Sequence, residues 1–75
     1  YERFVRNVLI AAGNSGYTGL MPMVTPFLSH PSALLRAMAI WALRQLADDD
    51  IWQGLREDYL PDERDQSVRR EWQDN

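Results

Sequence analysis

Apolar positions recur along this chain at helical spacing. In residues 2–13, Phe4, Val8 and Ala12 fall on one stripe with Val5 and Leu9 beside it, which predicts an amphipathic helix. Gly13-Asn14-Ser15-Gly16 stops that helix, because glycine and asparagine accept the left-handed backbone of a helix C-terminus, and Asn14 is the expected cap. Residues 14–19 read as a loop. In residues 20–29, Leu20, Val24, Phe27 and Leu28 repeat at i, i+4, i+7 and i+8. Pro22 suits a first turn, whereas Pro26 removes a backbone donor and predicts a kink. His30-Pro31-Ser32 is a tight break, with Ser32 the expected N-cap of the next helix.

Residues 33–47 carry the strongest helical pattern. Leu35, Met38, Ala39, Ala42, Leu43 and Leu46 form a wide stripe, and Leu34, Ile40 and Trp41 cover much of the rest. A helix apolar nearly all round is sandwiched between neighbours. Asp48-Asp49-Asp50 opens a further helix, where acids favour the positive end of the dipole. Ile51, Leu55 and Tyr59 line one face of it, with Trp52 nearby, and Leu60-Pro61-Asp62 ends it. Residues 63–73 form a last helix, supported by Val68 with Trp72 and by Asp65 with Arg69, both at i, i+4. No segment alternates at period two over any length, so the fold class expected is all-α.

The first and third helices resemble each other. Phe4 to Ala12 aligns with Leu34 to Ala42 at an offset of 30, and Ser67-Val68-Arg69 is a fainter third copy at an offset of 33 from the second. Self-similarity at such a period signals a solenoid whose units bury their apolar faces by stacking. A proline-kinked helix, a short break, then a helix opening with an apolar residue and arginine is the pattern of HEAT-type repeats. The expected organisation is one HEAT-like stack of about two repeats and four to five helices. Residues 1–13 are then the second helix of a truncated repeat, 19–47 a full repeat, and 50–74 a degenerate acidic capping repeat.

Composition narrows the chemistry. The chain has 75 residues and 45% hydrophobic content, enough for a packed core and unlike a disordered tail. It has no cysteine and one histidine, His30, so disulfides, cluster ligation and a cysteine nucleophile are excluded within it, and a zinc site lacks ligands. No apolar run approaches a membrane span, and the start is not that of a signal peptide. The net charge of −3 hides an asymmetry. Residues 1–47 hold one acid against four arginines, net +3, and residues 48–75 hold ten acids against four arginines, net −6. The front half suits a polyanion and the back half does not.

Three segments carry a more specific likeness: Arg6-Asn7-Val8-Leu9-Ile10-Ala11-Ala12-Gly13-Asn14-Ser15-Gly16, the run from His30-Pro31-Ser32 through Leu43, and Asp65-Gln66-Ser67-Val68-Arg69-Arg70-Glu71-Trp72. Together they resemble the C-terminal HEAT-like region of epoxyqueuosine reductase. The resemblance implies a parent oxidoreductase of the bacterial cytoplasm that converts epoxyqueuosine to queuosine in tRNA, with cobalamin and two 4Fe–4S clusters held upstream. None of the cluster ligands carries over, since the chain has no cysteine. The implied role of this region is non-catalytic grip on tRNA, through Arg3, Arg6, Asn7, Tyr17 and Arg36.

Each of those residues has a plainer reading beside it. Arg6, Arg36 and Arg69 recur near the starts of equivalent helices, as phosphate contacts or as bridges to acids and carbonyls of the adjacent repeat. Asn7 lies in a helix interior, where asparagine is a poor choice, so it needs a backbone or ligand partner. Tyr17, in the glycine loop, is placed to stack on a base. Trp41, Trp52 and Trp72 read as core, His30 as a turn residue, and the Asp48 run as a cap without the spaced ligands of a calcium loop. Two further readings stay open. The chain is a HEAT-type protein-interaction module, or it self-associates through Phe4 and Val8 of the first helix.

Overall fold

Three of the helices start where a side chain accepts from their unpaired N–H groups. In the computed structural model, which describes residues 1–73, the α-helices are α1 (Glu2–Ser15), α2 (Met21–Val24), α3 (Ala33–Leu46), α4 (Asp49–Tyr59) and α5 (Gln66–Gln73). Tight 3-10 segments lie at Thr18–Leu20, Thr25–Ser29 and Leu60–Asp62. No strand occurs among the described residues, and the chain is all-α. Ser32 Oγ accepts from Leu35 N at 3.3 Å, and Asp48 Oδ1 accepts from Ile51 N at 2.8 Å, as their sequence positions predict. Asp65 does the same for α5, with Oδ1 accepting from Ser67 N at 2.9 Å and Val68 N at 3.2 Å. Asp65 therefore caps its helix, and the Arg69 guanidinium, expected to support it at i+4, donates instead to backbone carbonyls.

Residues 18–29 are three short helical segments and not one kinked helix. A continuous α-helix would need Pro26 to donate to the Pro22 carbonyl, and proline has no N–H. The chain tightens to 3-10 geometry at Thr25, so that Pro22 and Pro26 each sit at the start of a segment.

α3 is the hub. It packs on α1 along one side, on α2 and the Thr25–Ser29 segment along another, and on α5 along a third. Leu35, Ala39, Ile40, Ala42, Leu43 and Leu46 are buried in it, and they form one continuous core with Val5, Leu9, Val24, Leu28, Trp52, Val68 and Trp72. The radius of gyration, 11.1 Å, is close to the roughly 11 Å expected when all the elements pack about a single core.

α1 buries one side of the apolar face its sequence predicts. Val5, Leu9, Ala12 and Gly13 face α3, Val8 is half-buried, and Phe4 is 71% exposed. Both sets have helical spacing, and close approach to α3 decides between them. A Cβ at Gly13 would lie 2.5 Å from Trp41 Cζ3 and 3.1 Å from the Ala42 Cα, so glycine is what lets the two helices meet. Gly13 is thus a packing residue inside the helix, and the left-handed cap is Gly16, with φ 70°. Asn14, expected to cap, is the penultimate helical residue. In α4, likewise, Trp52 is the buried residue, Leu55 and Tyr59 are half-buried, and Ile51 is exposed.

Candidate nucleic-acid interface

The arginines divide into two groups according to what surrounds them. Four of those in the middle and rear, Arg36, Arg44, Arg56 and Arg69, are bound into the fold, whereas Arg64 and Arg70 are exposed and make no such contacts among the described residues. Arg36 donates Nε to Glu63 Oε1 at 2.9 Å and Nη2 to Oε2 at 3.1 Å, a bidentate pair, while its Nη1 reaches the carbonyls of His30 (2.9 Å) and Pro31 (3.0 Å). Arg69 Nη1 donates to the carbonyls of Glu63 (2.8 Å) and Leu60 (3.1 Å). Each of these two arginines thus ties down the carbonyl six residues before it. Arg56 Nε donates to the Trp72 carbonyl at 3.1 Å. Arg44 lies 5.2 Å from the centre of the Trp52 ring and 3.4 Å from Asp49 Oδ1. The bridging reading therefore describes Arg36 and Arg69, and Arg36 is withdrawn from the set facing a ligand.

Glu63 completes this knot. Burial raises the pKa of its carboxyl, and that effect is outweighed by the Arg36 hydrogen bonds, the Asp65 and Arg64 backbone N–H groups and the Arg36 charge, so the net shift is downward. The knot borders a cleft of about 460 Å³ that His30, Tyr59 and Trp72 also line. His30 Nδ1 accepts from Ser32 N at 3.0 Å, and its ring lies between Tyr1 and Phe27, with centroids at 6.1 and 5.9 Å. It behaves as a turn residue. Among the described residues no group of three or more His, Cys, Asp or Glu side chains is arranged to hold a metal ion.

The front arginines differ from those four. Arg3 is exposed and Arg6 half-buried, and neither has a hydrogen bond or ion pair among the described residues. Arg6 Nε is shielded from solvent with no acceptor, an unusual state for a buried polar group. The outward side of α1 has two flanks. Arg3, Asn7 and Asn14, at steps of four and seven, make a polar flank, and all three are exposed. Phe4, Val8, Ala11 and Ser15 make a second flank, where Phe4 stands out into solvent. Asn7 faces outward, which accounts for an asparagine in a helix interior without a buried partner.

Tyr17 follows α1 directly and is 64% exposed. Its backbone is held at both ends. Its N–H donates to Ser15 Oγ at 3.1 Å, and its carbonyl accepts from Leu20 N at 3.1 Å. Of the five residues expected to face RNA, four (Arg3, Arg6, Asn7 and Tyr17) lie on α1 or the turn after it. Arg36 is separated from them by its pairing with Glu63, 27 residues away, together with the nearby His30 and Pro31 carbonyls. The three tryptophans are packing groups. Trp52 and Trp72 meet at 5.0 Å, Tyr59 stacks on Trp72 at 6.3 Å, and Trp41 covers Gly13. No helix among the described residues is long and apolar enough to cross a membrane. No protein-family model, curated protein or solved structure matches this chain.

Proposed function

We propose that this chain is a non-catalytic RNA-gripping module: the tRNA-contacting, HEAT-like C-terminal region of an epoxyqueuosine reductase, whose redox chemistry belongs to cofactors bound elsewhere. The observation that carries the grip is Arg6. It is half-buried with no acid or carbonyl bonded to it among the described residues, and an arginine whose charge has no internal partner is left to pair with an external phosphate. Arg3 and the amides of Asn7 and Asn14 lie along the same side of α1 and provide further phosphate donors. The acidic rear half, whose Arg56 and Arg69 turn into backbone carbonyls, repels a polyanion and limits contact to the front. The recurrence of one carbonyl-tying arginine at Arg36 and Arg69 supports the repeat reading on which the family likeness rests.

The test is RNA binding across a salt series. Affinity should fall linearly on logarithmic axes, and Arg3→Ala with Arg6→Ala should reduce the slope by roughly one to two. Arg36→Ala should change stability and leave the slope alone. A slope unaffected by Arg3 and Arg6 would remove the basis of this reading.

A second reading, a protein-interaction module, is favoured by one feature: Tyr1 and Phe4 are 81% and 71% exposed on the same end of the molecule. Light scattering at high concentration checks self-association through that end. Phe4→Glu should abolish any dimer it shows.

A further inference from the structure

The turn after α1 builds a rigid, one-sided aromatic surface. Gly16 takes the left-handed conformation that ends the helix, and Tyr17 leaves it extended, at φ −88° and ψ 106°. Ser15 Oγ donates to the Ala12 carbonyl at 2.6 Å while accepting from Tyr17 N, so the tyrosine backbone is tied to the last helical turn. Its carbonyl is tied forward to the 3-10 turn at Leu20. The side chain then folds back over Gly19. A Cβ built there would be nearest to Tyr17 Cζ, with Oη at 2.6 Å and Cε2 at 2.8 Å. The carbon that carries the hydroxyl is closer than the atoms bonded to it. That order belongs to an approach over the ring face, since an approach at the ring edge would meet Oη first. One face of the phenol is therefore backed by the Gly19 backbone, and the ring as a whole remains 64% exposed.

We propose that Tyr17 is a preformed stacking platform for one unpaired base of an RNA, and that Gly19 is its positioning residue. This rests on the RNA-gripping reading and specifies its ligand: a splayed base in a loop or single strand, because paired bases do not offer a free face. The ring is already held on one side and its backbone is already fixed, so little side-chain freedom remains to be lost on binding. Stacking on an aromatic face is tolerant of base identity. Arg3, Asn7 and Asn14 mark a polar track along α1 that ends at this turn, roughly 16 Å from Arg3 to Asn14 at helical rise. Charge at one end and an aromatic face at the other suit a short stretch of single strand better than a peptide.

The full chain is titrated with a stem-loop RNA and with the fully paired duplex of the same stem. Wild type should prefer the stem-loop, and a Tyr17 ring proton should shift upfield as the base stacks. Tyr17→Ala should weaken stem-loop binding by about 5- to 150-fold and leave duplex binding alone. Tyr17→Phe keeps the face and should bind like wild type. Gly19→Ala displaces the ring and should behave like Tyr17→Ala, with circular dichroism confirming that both variants remain helical. Stem-loop binding that is salt-dependent and indifferent to Tyr17→Ala would overturn the platform and leave the arginine grip standing. No RNA binding by wild type would overturn both, and a preference for proline- or aromatic-rich peptides would reassign the surface to a protein partner.

Discussion

Arg36 and Arg6 occupy equivalent places in two helices, and their surroundings give them different work. Arg36 has an acid and two carbonyls within hydrogen-bonding distance, and Arg6 Nε has none. Removing the Arg36 side chain leaves Glu63, whose side chain is only 9% exposed, without its cation. Arg36→Met should cost about 1–3 kcal/mol, read from a denaturant midpoint. The pH dependence has a definite sign. The Glu63 pKa is lowered in the folded chain, so its contribution is fully present above the ordinary carboxyl value of 4.5 and is lost as pH falls through the lower folded value. Asp65, lowered by hydrogen bonds from Ser67 and Val68, adds to the same acid limb. Glu63→Gln should flatten the stability curve below about pH 4.5, and an unchanged acid limb would show that this pair contributes little.

At the scale of the helix, glycine has opposite meanings in α1 and α4. Gly13 lies under Trp41, where a Cβ has no room. Gly54 sits in α4 with nothing within 4 Å of an added Cβ. Gly54→Ala should therefore stabilise by roughly 0.5–1 kcal/mol through helix propensity alone. Gly13→Ala gains the same propensity and must also displace Trp41 and the Ala42 backbone. Overpacking costs about 1–3 kcal/mol, so the net effect should be destabilising. Thermal melts of the two variants, moving in opposite directions by about 4–8 °C per kcal/mol, check the pair together. Capping gives a second prediction at this scale. Asp48→Ala removes the acceptor for Ile51 N and should cost about 0.5–2 kcal/mol, while Asp50→Ala, with no comparable bond to the backbone, should cost less.

For the molecule as a whole, α3 joins α1, α2 with the Thr25–Ser29 segment, and α5. Trp41 reports on the α1 side, and Trp52 with Trp72 on the α4–α5 side, yet their neighbours belong to one continuous core. A single cooperative transition is expected, with tryptophan fluorescence and far-ultraviolet circular dichroism coinciding. Separate transitions would show that the acidic rear folds on its own. Leu43→Ala, at a fully buried position on α3, should cost about 2–5 kcal/mol. That is a large part of the stability open to a chain of this size, so the variant should be substantially unfolded by mild denaturant.

Helical spacing, the Ser32 and Asp48 caps, the breaks at Pro31 and Pro61, and the lack of alternation were enough to determine an all-α chain with its main helices nearly in place. Those signals are local: each involves residues within about one turn of one another. The same locality explains the near misses. Two apolar stripes on α1 were equally periodic, and only contact with Trp41 and Ala42 decided that Val5, Leu9 and Ala12 go inward while Phe4 stays out. Pro26 announced a disturbance, and tertiary packing resolved it as a change to 3-10 geometry. Which arginines hold the fold and which face outward was also decided by tertiary structure, because Arg36 meets Glu63 across 27 residues of chain. Charge type is written in the sequence, whereas the availability of a charge depends on what the fold brings beside it.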